Sequence, residues 1–150
     1  MDKTNEVHTA PNIGRRFLAG FIDYFIIYTF TLAYLFFFGE QNEDGEYAVN
    51  GLPALIPVIF WGLMTIGLET TSGATLGNTI AGLKAIPRCG TNRDLSFNES
   101  FRRHLLDIID MFFFGLVAIL IIKNSDHHQR LGDIVAHTIV VKKSALKNIK

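Results

Sequence analysis

Residues 17–38 form an apolar run long enough to cross a membrane, and the run carries one carboxylate, Asp23, near its middle. A bilayer core about 30 Å thick takes roughly 20 apolar residues as a helix. An ionised Asp at that depth costs on the order of 3 kcal/mol on insertion scales, so a partner or a function must hold it there. Arg15 and Arg16 stand directly before the run. The run exceeds the apolar core of a cleavable signal peptide and no small-residue cleavage site follows, so it reads as an anchor that stays.

Composition agrees with a membrane class. Of 150 residues, 49% are hydrophobic, and the polar ones are clustered. A formal net charge of zero gives no basic field for nucleic acid. Cys89 is the single cysteine and excludes an internal disulfide.

The charge pattern sets a topology. Residues 39–50 hold Glu40, Glu43, Asp44 and Glu46 without Lys or Arg, so they belong outside the cytoplasm. Residues 52–69 form a second span, with Pro53 and Pro57 in its first turns, where a missing donor matters least. Residues 70–97 then read as a cytoplasmic loop with a short helical turn near residues 76–83. Residues 83–86 and 138–141 read as a small pair of strands, the second rich in β-branched side chains.

Ser96-Phe97-Asn98-Glu99 has the form of a capping box, which predicts a helix start. That helix becomes wholly apolar only over residues 111–122. Twelve residues make roughly 18 Å of helix, too short to cross alone. A full crossing needs Asp107 and Asp110 inside the bilayer; otherwise the segment is re-entrant and turns near Gly115. The basic tail, with Lys142, Lys143, Lys147 and Lys150, favours the second option and a cytoplasmic C-terminus. The expected fold is thus an all-α membrane protein: two transmembrane helices, a third membrane-embedded and possibly re-entrant helix, and a small cytoplasmic strand pair. Its parts are a polar N-terminal segment (1–14), a membrane domain (15–141, with spans about 15–38, 52–69 and 97–122) and a basic tail (142–150).

The chain also repeats itself. Arg15-Arg16-Phe17-Leu18-Ala19-Gly20-Phe21-Ile22-Asp23 aligns without a gap on Arg102-Arg103-His104-Leu105-Leu106-Asp107-Ile108-Ile109-Asp110. Leu76-Gly77-Asn78 aligns on Leu131-Gly132-Asp133, and a strand candidate follows each. A parallel duplication of this kind places both Leu-Gly turns on one side of the membrane.

Spacing then nominates the site. Arg16 and Asp23 are seven residues apart, on one helical face and about 10 Å apart along the axis. Ala19 and Gly20 between them admit a close neighbour, so Asp23 should face protein. Arg103 can pair with Glu99 and Asp107, four residues away on either side, which leaves Asp110 as the counterpart of Asp23. Two such carboxylates suit one dehydrated sodium ion or one shared proton. The equally simple alternative is an Arg/Asp network, with Arg16, Arg102 and Arg103, that only fixes helix packing.

Arg16, Asp23, Gly73-Ala74-Thr75-Leu76-Gly77, Gly82-Leu83-Lys84-Ala85-Ile86, Gln129-Arg130-Leu131-Gly132-Asp133 and Thr138-Ile139-Val140-Val141 together resemble the RDD family of small bacterial membrane proteins. The resemblance covers about residues 13–141. It implies that Arg16 and Asp23 are the family's Arg and first Asp, with the second at Asp133 and Asp110 as competitor. Relatives usually carry Lys where this chain has Asn78. Some members of the family are implicated in sodium or proton-coupled cation export. The expected function is therefore movement of a monovalent cation in exchange for protons, through Asp23, Asp110, Asp107 and Asp133. The alternative is a membrane scaffold or interaction module. The expected setting is the bacterial inner membrane, multi-pass, with a cytoplasmic N-terminus.

Two or three membrane segments cannot enclose a pathway alone, so transport requires a homo-oligomer in the lipid bilayer. No cofactor and no metal site are expected: Asp126, His127, His128 and His137 fit no strong ligand spacing. Gly73 to Gly77 lacks the Gly-Lys-Ser/Thr of a phosphate loop, and no nucleophile–base arrangement suggests an enzyme. Asn98-Glu99-Ser100 is a glycosylation pattern on the wrong side of the membrane.

Overall fold

In the computed structural model, which describes residues 9–43, 45–110 and 112–146, the first apolar run is one helix, α1 (Ile13–Phe38). Most of the polar N-terminal segment and the last four residues of the basic tail lie outside the described residues. α1 stops at Gly39, whose N–H donates to the Leu35 carbonyl at 2.8 Å. The acidic linker then folds into a hairpin, β1 (Glu40–Gln41) against β2 (Tyr47–Ala48).

The second apolar run, Leu52–Ser72, is one stretch of changing pitch. A 3-10 turn (Leu52–Ala54) holds Pro53 where no donor is needed, and α2 (Leu55–Gly62) follows. A π-helical turn (Leu63–Gly67) leads into α3 (Leu68–Ser72). Hydroxyls fill acceptors freed by the wide turn: Thr65 donates to the Trp61 carbonyl at 2.7 Å, and Thr71 to the Gly67 carbonyl at 2.7 Å. Gly73 ends α3 in the left-handed region, φ 76°, where a Cβ is penalised. The two long helices pack through Phe30 stacked on Phe60, ring centres 3.8 Å apart, and through Tyr34 donating to the Pro53 carbonyl.

Outward from this pair point Phe21, Phe25, Tyr28, Leu32, Ile59 and Leu63, all exposed. The buried stripe of α1 is Ala19, Asp23, Ile27, spaced four residues apart. Apolar side chains outside and a carboxylate inside is the arrangement hydrocarbon solvent demands and water would not.

Beyond Gly73 the chain forms α4 (Leu76–Ile80), which packs on α1, and β3 (Leu83–Pro87). Ser96 opens α5 (Phe97–Leu105) with a complete capping box to Glu99. The helix breaks at Leu106, and α6 (Asp107–Asp110) and α7 (Phe112–Asn124) follow. The third segment is bent where the re-entrant alternative puts its turn: Phe97–Asp110 and Gly115–Asn124 are bent by 112°, and Gly115 has φ 82°. α8 (Leu131–Val135), β4 (Thr138–Lys142) and α9 (Lys143–Leu146) complete the described chain.

β3 and β4 pair antiparallel, Ala85 opposite Val140, and both faces are covered. Leu83, Ala85 and Val140 pack with Ala19, Ala81 and Leu95; Ile86, Ile139 and Val141 pack with Leu146. The pair of strands expected from the sequence is present, and the repeat explains it: each strand follows a Leu-Gly turn, and the two meet.

Among the described residues, parts of α5, α8 and β4 meet the end of the helix pair where α1 starts and α3 lies. Arg16, in the first turn of α1, reaches Asp133 and the Val140 carbonyl, while Glu69 in α3 meets Arg103. The backbone N–H groups of Leu131 and Gly132 bind Asp110, so the excursion between residues 110 and 131 begins and ends at the same place. β4 accordingly lies at the end where α1 starts, as a parallel duplication requires.

Candidate functional site: a buried charge cluster

The two repeats build the same device twice. Asp23 Oδ1 accepts the Gly77 N–H at 2.7 Å, at the start of α4. Asp110 accepts the Leu131 and Gly132 N–H groups at 3.0 and 2.9 Å, at the start of α8. Each carboxylate fills donors that a helix start leaves open. Both glycines permit the approach. A Cβ on Gly77 would overlap the Ala19 carbonyl and lie 2.9 Å from the Asp23 carboxyl carbon; one on Gly132 would overlap the Arg103 carbonyl and lie 3.1 Å from Asp110 Oδ2.

Asp23 and Asp110 therefore do not share one contact, as the sequence reading had them: each is tied to its own turn. Arg16 also departs from expectation. It passes over Asp23 and pairs with Asp133 at 3.0 Å, since a long side chain at the helix start reaches the layer beyond it. Arg103 does not bind Glu99 or Asp107. Its Nε meets Asp133 at 2.7 Å and its Nη1 pairs with Glu69. Glu99 closes the capping box and takes Arg93 at 2.7 Å instead. Arg102 points outward and is exposed, so it is no part of the cluster.

Asp107 lies at the junction. Its Oδ2 accepts the Tyr24 hydroxyl and faces His104 Nδ1, both at 2.7 Å, and Arg130 Nη1 is 2.7 Å from its Oδ1. His104 Nε2 faces Glu69 Oε2 at 3.2 Å, where Ser100 also donates at 2.7 Å. Arg130 lies 3.7 Å from both Asp110 and Asp133. Burial pushes the Asp133 carboxyl up, but Arg103, Arg130 and Arg16 outweigh it and hold the group down at about 2. Burial works against the charge of Arg130 as well, yet Asp107, Asp133 and Asp110 raise its affinity for the proton.

Asp23 is different. Among the described residues, no Lys, Arg or His comes within ion-pair distance of it, although it is buried. It lines a cavity of about 50 Å³ with Tyr24, Thr65, Thr75, Asn78 and His104, and with Arg103, Asp107 and Arg130 of the charge cluster, enough for one or two waters. Thr75 caps α4 by accepting the Asn78 N–H at 3.2 Å. The π-helical turn places Thr65, 1% exposed, beside that cavity. A larger open groove of about 470 Å³, over Arg88, Ile121, Asn124 and Gln129, lies apart from the carboxylates.

Four participants escaped the sequence reading: Glu69, His104, Arg130 and Tyr24. Glu69 ends an apolar run and passes for a boundary residue. Arg130, just before Leu131-Gly132-Asp133, stands outside the apolar runs and passes for one more basic residue of the C-terminal part. For His104 the repeat offers Phe17, which hides its role. Among the described residues no group of three or more His, Cys, Asp or Glu is arranged to hold a metal ion.

Two apolar helices long enough to cross a membrane, closed at one end by a duplicated and charge-locked polar layer, suggest a small membrane protein. The RDD family model matches residues 10–137, and the chain belongs to the RDD family. No curated protein and no solved structure matches the chain.

Proposed function

We propose that this protein moves a small monovalent cation, such as sodium, across the membrane in exchange for protons, and that Asp23 is the cation-handling carboxylate. The observation that carries this reading is the contrast within the cluster. Glu69, Asp107, Asp110 and Asp133 each have an Arg within 4 Å, whereas among the described residues Asp23 is in no ion pair, accepts a backbone N–H and lines a small polar cavity that Thr65, Thr75, Asn78, Arg103, His104 and Arg130 also line. A carboxylate kept out of any ion pair in such a place is a functional hypothesis by default. Asp107, Asp110 and Asp133 are then the frame, with Arg16, Arg103 and Arg130. Transport requires a homo-oligomer, because two crossings do not surround a path. The positive-inside rule puts the charged end in the cytoplasm.

The repeat favours a second reading. Asp23 and Asp110 cap equivalent turns, so Asp23 also serves as a structural cap in a scaffold that moves nothing. The purified protein in proteoliposomes, with an internal pH dye and an imposed sodium gradient, separates the two. Transport predicts that Asp23→Asn abolishes sodium-dependent proton movement while the protein remains folded and monodisperse. Unchanged flux in Asp23→Asn defeats the transport reading, and loss of folded protein with flux never seen in the wild type supports the scaffold.

A further inference from the structure

We propose that the open groove at the end of α7 binds a phospholipid with a zwitterionic headgroup, a phosphate joined to a primary ammonium as in phosphatidylethanolamine. The proposal rests on the placement of the chain in a bilayer, as read above, and not on transport.

Position is the first reason. α7 is apolar as far as Ile122 and turns polar at Lys123 and Asn124, so this is where the segment leaves hydrocarbon. The groove, of about 470 Å³, lies at that boundary and is lined by Leu120 and Ile121 from α7 and Ile134 from α8. Leu116 and Leu120, one turn apart on one face, are 51% and 53% exposed and carry the apolar lining back along α7. A boundary of this kind suits an amphiphile, whose chain follows the helix while its head stays at the polar end.

The charges of the lining are the second reason. Arg88, just beyond β3, is anchored through its backbone, whose N–H donates to the His137 carbonyl at 2.9 Å. Its guanidinium is exposed and, among the described residues, has no hydrogen-bond or ion-pair partner. Asp126 is also exposed and without a partner among them, in the turn where the His128 N–H donates to the Ser125 carbonyl at 3.0 Å. One cation and one carboxylate, both uncommitted, thus line the same groove. The turn that carries Asp126 is fixed: Gln129, 3% exposed, donates to the Thr138 carbonyl at 2.6 Å and ties it to β4. Its backbone N–H donates to the Ser125 hydroxyl at 3.2 Å, which leaves the Ser125 O–H to give to a ligand.

This pairing of charges selects among headgroups. A phosphate takes a guanidinium through two parallel N–H bonds. A primary ammonium gives N–H donors to a carboxylate, which the methyl groups of choline do not. A headgroup with net negative charge gains Arg88 but meets Asp126, a repulsive element built against it. Phosphate on Arg88 and ammonium on Asp126 satisfy both.

The test uses the full chain, stripped of lipid in detergent and titrated with phosphatidylethanolamine, phosphatidylglycerol or phosphatidylcholine of equal chain length, with bound lipid read by native mass spectrometry. The wild type should retain phosphatidylethanolamine over the other two by about fivefold. Arg88→Gln should weaken that retention about tenfold. Asp126→Asn should remove the preference, so that phosphatidylglycerol is held as well as phosphatidylethanolamine. Arg102→Gln, which changes another exposed cation, should leave the order as it is. Equal retention of the three lipids, a preference of the wild type for phosphatidylglycerol, or full retention in Arg88→Gln overturns the proposal. A phosphatidylethanolamine with a photoactivatable group beside its head decides the matter on the wild type even where a variant does not fold: crosslinks are expected at Arg88 or within residues 120–134, and their absence from both overturns it. Asp23→Asn should keep the lipid order whatever it does to sodium flux, so this proposal and the transport reading fail separately.

Discussion

The two halves of the molecule use one construction and end in different electrostatic states. In both, an Asp, inside α1 in one half and at the end of α6 in the other, caps a Leu-Gly turn, and a glycine lets the two backbones touch. In the second half the residue after that glycine is Asp133, which draws Arg16 and Arg103, and Arg130 lies 3.7 Å from Asp110. In the first half the corresponding residue is Asn78, and among the described residues Asp23 is in no ion pair. A capping carboxylate serves either half; only in the second is it also tied to a guanidinium group.

The comparison breaks hardest at the glycines. Gly77→Ala and Gly132→Ala each drive a Cβ into backbone, which cannot give way as a side chain does, so both should abolish recoverable folded protein. Expression followed by size exclusion in detergent checks this; a folded Gly132→Ala protein would mean that the approach is looser than drawn.

Next in size is Asp133→Asn, which leaves Arg16 and Arg103 facing a neutral amide in a dry site. A loss of about 3–5 kcal/mol in reversible unfolding is expected. The same residue gives a pH test. Its folded pKa of about 2 is below the ordinary value of about 3.9, so its contribution is complete above about pH 4 and disappears as pH falls through about 2. Asp133→Asn should flatten that part of the stability curve.

The direct contrast comes third. Asp110→Asn removes a charge that Arg130 and two N–H groups use, and should lower stability by about 1–3 kcal/mol. Asp23→Asn loses one charge-assisted hydrogen bond and relieves an unpaired buried charge, so the loss should be under about 1 kcal/mol. Thermal unfolding of the two variants side by side sharpens the difference; equal losses would erase the distinction between the halves. The smallest effect belongs to Arg102→Ala, within about 0.5 kcal/mol, because Arg102 is exposed beside the cluster it resembles in sequence.

Much of this was legible in the chain. The two long helices, the capping box at Ser96, the strand pair and the duplication all follow from local signals: length of apolar runs, side-chain-to-backbone caps and alignment of one half on the other. The carboxylates were also found, because an Asp in an apolar run stands out by itself. Partner assignment went astray for a physical reason. Helical spacing ranks neighbours on one helix, so Arg16 seemed bound to Asp23, and Arg103 to Glu99 and Asp107. Arg side chains are long enough to reach other elements, and the layer packed against them offered Asp133 and Glu69, 30 or more residues away in sequence.

By itself, then, the sequence determined the apolar helices of membrane-spanning length, the repeat and the set of charges to be reconciled, because each depends on hydropathy, period or identity along the chain. Only the tertiary structure decided which charge meets which. It brought α4 and α8 against two different carboxylates, returned the excursion after Asp110 to its starting point, and set His104 between Glu69 and Asp107. Electrostatic energy depends on distance in space, and distance in space is what folding, not spacing, assigns.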